Sequence, residues 1–426
     1  MFDESAILDI VDKTIFKTVG CTEPMAIALA VVVAYKEILG EIKSVAVSLD
    51  KNVYKNALAV GIPGTGYKGP KMAIALGLIA GDPEKGLLLL ENVSTAAIIQ
   101  AQELLSQNLI TITLNEAAKF LNIQATIETT NGKAKAIISQ CHDNIVLIEK
   151  NGEVIYHRIV DADRQEPFLD EYDFSTLQFD ALTALVNQIS AAKIVHLEDA
   201  YKLNYTAALI GLEKNAGMGL GACWKKLIDQ GTLENAFTNR VKMIVAAAAD
   251  ARMGGLNVPI LGCTGSGNHG ITFFLTIGMC FQHFEINPAI SLAHAYVYGL
   301  VILAAIKQRL GLLSSICGGA IAAGAAAAGA IVYMLGGNSA AVTNAINLVI
   351  GNIAGIVCDG AKNSCALKVS TGAALAVEAA LLSLADTKVS VTDGIIAKDF
   401  YSTLINLGIL SKSGMKKLMR RCCKYC

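Results

Sequence analysis

Residues 316–335 read ICGGAIAAGAAAAGAIVYML, twenty in a row without a charge. A run of that length admits two folds. It is long enough to span a bilayer, and its small residues resemble a packed membrane interface. Equally, it suits the central helix of a large bundle, because alanine and glycine let neighbouring helices approach closely. Few Leu or Phe interrupt it, and no aromatic belt or Lys/Arg asymmetry frames a series of such spans. The buried central helix is the better reading, and no membrane partner is expected. The 426 residues are 53% apolar with a mean hydropathy of +0.49, much of it from Ala, Gly, Val and Ile. That is ample material for a large core.

The formal net charge is −1. There is no basic stripe or acidic tail, so nucleic acid is not an expected partner. The opening MFDESAILDIVDK carries acids and no basic n-region, unlike a secretory signal. The expected compartment is therefore the cytoplasm, where thiols stay reduced. Eleven cysteines in that setting point to metal, catalysis or packing rather than disulfides.

Three regions differ in pattern. Residues 3–39 read as two helices broken at VGCTEP. IKSVAVSLD, within 41–60, has a short strand-like alternation. Residues 84–175 contain LITITL and two alternating segments, each split by Asn-Gly, the strongest short hairpin signal. From about 180 onward the pattern is helical and Ala-rich. The expected fold is α+β: a mostly helical body from 1–83 and 176–426, with a small α+β insert at 84–175.

Four segments have the residue types for chemistry. In VGCTEPMAIALA, Thr22 suits an N-cap and Glu23 and Pro24 suit a first helical turn. Cys21 then sits beside the positive end of a helix, which favours thiolate. A thiolate there serves as base, nucleophile or metal ligand; a buried small hydrophobe is the alternative. In SSICGGAIAAG and IVCDGAKNSCALKVS, Cys317 and Cys365 both stand near helix starts, with Cys358 between them. Three thiolates suit an iron–sulfur cluster with one iron left open, or a zinc site, and the spacing does not choose between these and simple packing. LGCTGSGNHGI resembles an anion-binding loop before a helix, with Gly265, Ser266, Gly267, Asn268 and His269 as candidates for a substrate carboxylate. VGIPGTGYKGP, at 60–70, offers the backbone donors of 61–66 as a weaker candidate for the same task and lacks the ending of a phosphate loop.

Other features carry less. SGNHG also resembles the cofactor loop of pyridoxal-phosphate dehydratases, with Lys242 upstream, but that lysine falls in a helical pattern and the βα units of such enzymes are missing. His142, His157, His196, His283 and His294 show no metal spacing and read as structural or exposed. The tail RRCCKYC, with Cys422, Cys423 and Cys426, reads as nonessential, with Cys426 as a further cluster ligand left open.

Taken together and in order, GCTEP, VGIPGTG, GSGNHGI, SSICGGAIAAG and CDGAKNSCALKVS resemble the L-cysteine desulfidase family, also catalogued as UPF0597. That family is related to the α-chain of iron–sulfur L-serine dehydratases. The resemblance covers nearly the whole chain. It implies a 4Fe–4S cluster held by Cys317, Cys358 and Cys365, with Cys21 as the proton acceptor. The implied substrate is a small amino acid: L-cysteine, eliminated to sulfide, ammonia and pyruvate through 2-aminoacrylate, or L-serine on the same cluster. Lys362 and Lys368 are candidates for added positive charge. A homodimer is the one protein assembly expected.

Overall fold

The computed structural model describes residues 2–118, 121–159 and 169–415. The tail cysteines Cys422, Cys423 and Cys426 lie outside them. Among the described residues the chain is mainly helical with one six-stranded mixed sheet, the α+β class expected from sequence.

The N-terminal segment folds as helix, strand, helix rather than as two helices. The first helix, Glu4–Thr14, is capped by Asp3, whose side chain accepts from the Ala6 N–H. It buries Ile7, Ile10, Val11 and Thr14 along one face. Strand β1 (Ile15–Val19) follows, a β-branched run. The helix Thr22–Ile38 then begins, and nearly all of its residues are buried.

Strands β2 (Ile42–Leu49), β3 (Ile110–Leu114), β4 (Asn122–Thr129), β5 (Gly132–Ser139), β6 (Ile145–Lys150) and β7 (Glu153–His157) form the sheet in the order β3-β2-β4-β5-β6-β7. Both hairpins expected from Asn-Gly are present. In the second, Asn151 and Gly152 both have positive φ, as a tight primed turn requires. The sheet's core draws on residues from both sides of the expected boundary at 83/84. β2 lies inside the sheet, parallel to β3 and antiparallel to β4. The helices Thr22–Ile38 and Pro70–Ala80 bury their apolar residues in the same cluster as the sheet. Strand pairing at long sequence separation thus joins β2 to strands of the 84–175 segment, which local pattern does not reveal.

Strand β8 (Pro259–Cys263) pairs antiparallel with β1, Ile15 facing Cys263 and Val19 facing Pro259. This two-stranded ribbon brings the segment before GCTEP alongside the segment before SGNHG, some 240 residues later.

In the helical body, Ala322–Met334 is buried on every side, packed among the helices Gly267–His283, Leu292–Leu310, Ser339–Ile353 and Cys365–Leu384. The charge-free run at 316–335 is therefore a central bundle helix. Small residues make this possible. A Cβ on Gly372 would stand 2.4 Å from the Ala320 carbonyl oxygen, so the Cys365 helix approaches the Cys317 segment to backbone contact. Among the described residues one helix, Cys365–Leu384, is long and apolar enough to cross a membrane, and 56% of its apolar window is buried in the protein.

Candidate active site

Two cysteine-bearing loops are pinned to each other by backbone. Ile316 and Val357 form a single β-bridge, the Cys317 N–H donates to the Ile356 carbonyl at 2.9 Å, and the Cys358 N–H donates to the Ser315 carbonyl at 2.8 Å. Cys365 opens its helix, with Ser364 at the N-cap and the Cys365 N–H on the Lys362 carbonyl. Cys317, Cys358 and Cys365 all line one cavity of about 80 Å³.

Their electrostatics suit a cationic guest. Burial, then repulsion by Cys358 and Cys365, pushes the Cys317 thiol up to about 12. Cys365 is also raised, by burial first. Burial would raise Cys358 too, but the Lys55 ammonium, the Gly360 N–H and Lys368 outweigh it and hold this thiol below its ordinary value. Lys55 is buried, and its Nζ donates to the carbonyls of Cys358 (2.8 Å) and Ser314 (3.1 Å). Three buried thiols that repel one another ionise together only around positive charge. Among the described residues no three His, Cys, Asp or Glu side chains group tightly enough to share one metal ion. Cys317, Cys358 and Cys365 nevertheless line one cavity, and a set of soft sulfur donors is the ligand chemistry of both iron–sulfur and zinc sites. Lys368 and Lys362 both pair with Asp359, and Lys368 also donates to the Val357 carbonyl, so they brace the Cys358 loop.

Cys21 lines the same cavity. It is itself the N-cap of Thr22–Ile38, displacing the expected Thr22, and Cys365 packs against the small apolar cluster that it forms with Val60 and Met253. Gly20, at φ +69°, sets it there. A Cβ on Gly20 would lie 2.3 Å from Pro63 Cγ. The helix end does not produce a thiolate. The Cys21 thiol donates to Glu23 Oε2 at 2.8 Å, and burial followed by the Glu23 charge raises its pKa well above the ordinary value, against the opposing pull of Arg252. Burial opposes Glu23's ionisation, but His142, the Cys21 thiol and Asn56 together keep its pKa low. In this state the proton rests on sulfur.

Residues that the sequence reading passed over complete the wall. Glu23 Oε2 also accepts from the Thr22 hydroxyl at 3.2 Å, and Glu23 Oε1 accepts from Asn56 Nδ2 at 2.7 Å. His142, read as structural or exposed, is buried and reaches from the α+β unit to within 3.9 Å of Glu23 Oε1 and 3.5 Å of Thr22 Oγ1. Arg252, at the end of helix Phe237–Met253, faces the cavity and donates from Nη1 to Asn268 Oδ1 at 3.0 Å. Glu23 was visible in GCTEP as a first-turn acid; Asn56, Lys55, His142 and Arg252 carry no local signal.

The glycine-rich loop falls largely as expected. Ser266 is the N-cap of helix Gly267–His283, and Gly265, Ser266, Asn268 and His269 line the cavity. First-turn N–H groups of such a helix have no intrahelical acceptor. Gly267 itself is not on the wall: it lies under the Arg252 guanidinium, where a Cβ would be 2.4 Å from Nε. His269 Nδ1 sits between the carbonyls of Cys263 and Thr264, both at 3.2 Å, which places the ring proton on Nδ1 and turns Nε2 toward Gly318. Burial, then Lys307, keeps this ring neutral. Cys263 is a buried packing residue.

The loop at 61–66 does not reach the cavity. Its N–H groups are spent inside the protein, Gly61 on Met253, Ile62 on Tyr67 and Gly64 on Gly255. It anchors the end of the Arg252 helix instead. Lys242 stacks over Trp224 away from the cavity, as its helical pattern implied. A larger cavity, about 680 Å³, adjoins the first; Gly265 and Leu312 line both. Thr22 and His142 face this outer space.

The comparisons agree with the motif order. The family model for the serine dehydratase alpha chain matches residues 84–423. A UPF0597 protein of Desulforapulum autotrophicum is 34% identical over 96% of this chain and 94% of its own. A UPF0597 protein of Alkaliphilus metalliredigens is 35% identical over 96% and 92%, and one of Clostridioides difficile is 35% identical over 93% of each. The chain belongs to the UPF0597 group of the serine dehydratase alpha-chain family.

Proposed function

We propose that this chain is an iron–sulfur-dependent lyase that removes the β-substituent and α-proton of a small amino acid, with L-cysteine as substrate. The observation that carries the reading is the convergence of Cys317, Cys358 and Cys365 with Cys21 and Glu23 on one small cavity. Sulfide leaves as one product, and the 2-aminoacrylate formed with it hydrolyses to pyruvate and ammonia. Bound to the three cysteines, a 4Fe–4S cluster with one iron lacking a protein thiolate supplies a Lewis acid for the departing β-sulfur.

The protein's own groups do the rest. The Cys21 thiol passes its proton to Glu23, the carboxylate already at hydrogen-bonding distance, and the resulting thiolate takes the α-proton of the substrate. Asn56 and Thr22 hold the Glu23 carboxylate in place for that exchange. First-turn N–H groups of helix Gly267–His283 face negative charge growing next to the α-carbon.

L-serine is the second reading, favoured by the match to the serine dehydratase alpha chain. Hydroxide leaves from the same position, and the residues that handle the α-proton are unchanged. The test is turnover by anaerobically prepared Cys21→Ser: iron content equal to wild type with pyruvate formation abolished supports Cys21 as proton acceptor. Loss of iron with the substitution makes Cys21 a cluster ligand instead.

A further inference from the structure

Cys21 and Glu23 end each proposed turnover one proton richer than they began. At rest the sulfur carries a proton and the carboxylate does not. Transfer from sulfur to Glu23, followed by capture of the α-proton on sulfur, leaves both groups protonated. Both are buried, and Glu23 must be a carboxylate again before the next cycle. Of the side chains that hydrogen-bond this carboxylate, Asn56 Nδ2 only donates, and Cys21 leads back to the inner cavity. Thr22 leads the other way.

Cys21 Sγ, Glu23 Oε2, Thr22 Oγ1 and His142 Nε2 stand in one unbroken row, with steps of 2.8, 3.2 and 3.5 Å. Cys21 and Glu23 line the small cavity, and Thr22 and His142 line the larger one of about 680 Å³. All four side chains are buried, so the row runs inside the wall between the two spaces. Burial first, with Arg252 assisting, holds the His142 ring below its ordinary pKa against the pull of Glu23 and Asp143. The resting ring is therefore neutral, and with its proton on Nδ1 the acceptor is Nε2, the atom facing Thr22. A ring that binds its second proton weakly also gives it up readily. Asp143 and Glu84 share the outer space with it, beside Lys13, Lys17 and Lys85, and that space has room for solvent.

We propose that Thr22 and His142 form a proton relay that carries the abstracted α-proton from Glu23 to the outer cavity. The relay rests on the lyase reading and concerns how the proton of that reaction leaves. The protonated Glu23 carboxyl donates from Oε2 to Thr22 Oγ1, while the Thr22 hydroxyl gives its own hydrogen to His142 Nε2. The O–H bond of Glu23 breaks, the hydroxyl of Thr22 is renewed, and an N–H bond forms on His142. The imidazolium then releases its Nδ1 proton to solvent, and tautomer exchange resets the ring. Glu23 is a carboxylate again, and nothing is oxidised or reduced. His142 acts through Glu23, so its loss strands the proton without blocking the first elimination.

The test is rapid-quench pyruvate formation by the anaerobic holoenzyme, with whichever of L-cysteine and L-serine wild type turns over and with iron measured in every sample. His142→Gln should complete its first turnover, one pyruvate per loaded site, at the wild-type rate. It should then continue at least about tenfold more slowly. Added imidazole, a base small enough for the outer cavity, should speed this slow phase in proportion to its concentration. Thr22→Val breaks the row one step further in, and should show the same burst without rescue by imidazole. Thr22→Ser keeps the hydroxyl and should recover at least about tenfold of the steady rate lost in Thr22→Val. If His142→Gln fails to load iron, the two Thr22 variants decide. A first turnover slowed as much as the later ones would make these residues mere supports for Glu23 and overturn the relay. Full steady turnover by iron-loaded His142→Gln or Thr22→Val also overturns it. No product from loaded wild type with either amino acid would sink the lyase reading and the relay with it, whereas product with neither burst nor rescue in the variants sinks the relay alone.

Discussion

The Cys21 thiol donates to the Glu23 carboxylate at 2.8 Å, two residues along the same helix start, inside a cavity walled by three further cysteines. A carboxylate against a thiol reverses the usual effect of a helix N-terminus. The dipole favours thiolate, but burial and the adjacent negative charge hold the proton on sulfur. Glu23→Gln removes that charge and should lower the Cys21 pKa. Peptide-level alkylation of Cys21 at pH 8 should then be several-fold faster than in wild type, while pyruvate formation falls by about a hundredfold or more, the low end of what a positioned acid–base group contributes. Unchanged alkylation would mean that Glu23 does not control the thiol.

The three-cysteine set is distinguishable from packing cysteines by iron alone. Cys317→Ala, Cys358→Ser and Cys365→Ser should each lose most bound iron and the brown colour of anaerobic protein. Cys280→Ser, at a buried site away from the cavity, should keep both. Full iron in Cys317→Ala would remove that residue from the ligand set.

Lys55 links the α+β unit to the cysteine loops through the carbonyls of Ser314 and Cys358. Lys55→Met leaves those carbonyls without their charged donor, and should cost about 2–4 kcal/mol in denaturant unfolding. It should also slow cluster uptake, because Cys358 loses the cation that favours its thiolate. A variant with wild-type stability and uptake would assign Lys55 no such role.

Acid should destabilise the fold through buried histidine. Burial is the main cause holding His142 and His269 below their ordinary pKa, so the unfolded chain binds protons there that the folded chain does not. Stability is complete above the unfolded value of about 6.5 and falls as pH drops from there toward the lowered folded values. Glu23, lowered in the fold, adds a loss in the same direction below its ordinary carboxylate value. Cluster-free protein should unfold at lower denaturant at pH 5 than at pH 7, with a smaller difference in His142→Gln. An equal difference in both proteins would place the acid lability elsewhere.

Much of this site is legible in sequence because its parts are local. A cysteine before Thr-Glu-Pro, a glycine turn before a helix and two cysteines near helix starts each show as short patterns. What stayed hidden is long-range. Arg252 ends an alanine-rich helix with no motif around it, and it matters only because Gly267 opens room for its guanidinium. His142 comes from a hairpin turn region in the α+β unit and meets Glu23 across 119 residues of sequence. β2 looks like an isolated alternating stretch until β3 and β4 pair with it on both sides. The loop at 61–66 has the composition of a ligand loop, but its N–H groups are consumed by Met253, Tyr67 and Gly255. Composition shows which groups are available and cannot show which are already paired.

The most direct measurement is iron and acid-labile sulfide content together with pyruvate formed from L-cysteine and from L-serine, on one oxygen-free preparation. The account predicts a stoichiometric cluster, pyruvate and sulfide from L-cysteine, and loss of both products when the cluster is destroyed by air. A loaded cluster with no pyruvate from either amino acid, or full turnover by iron-free protein, would contradict it.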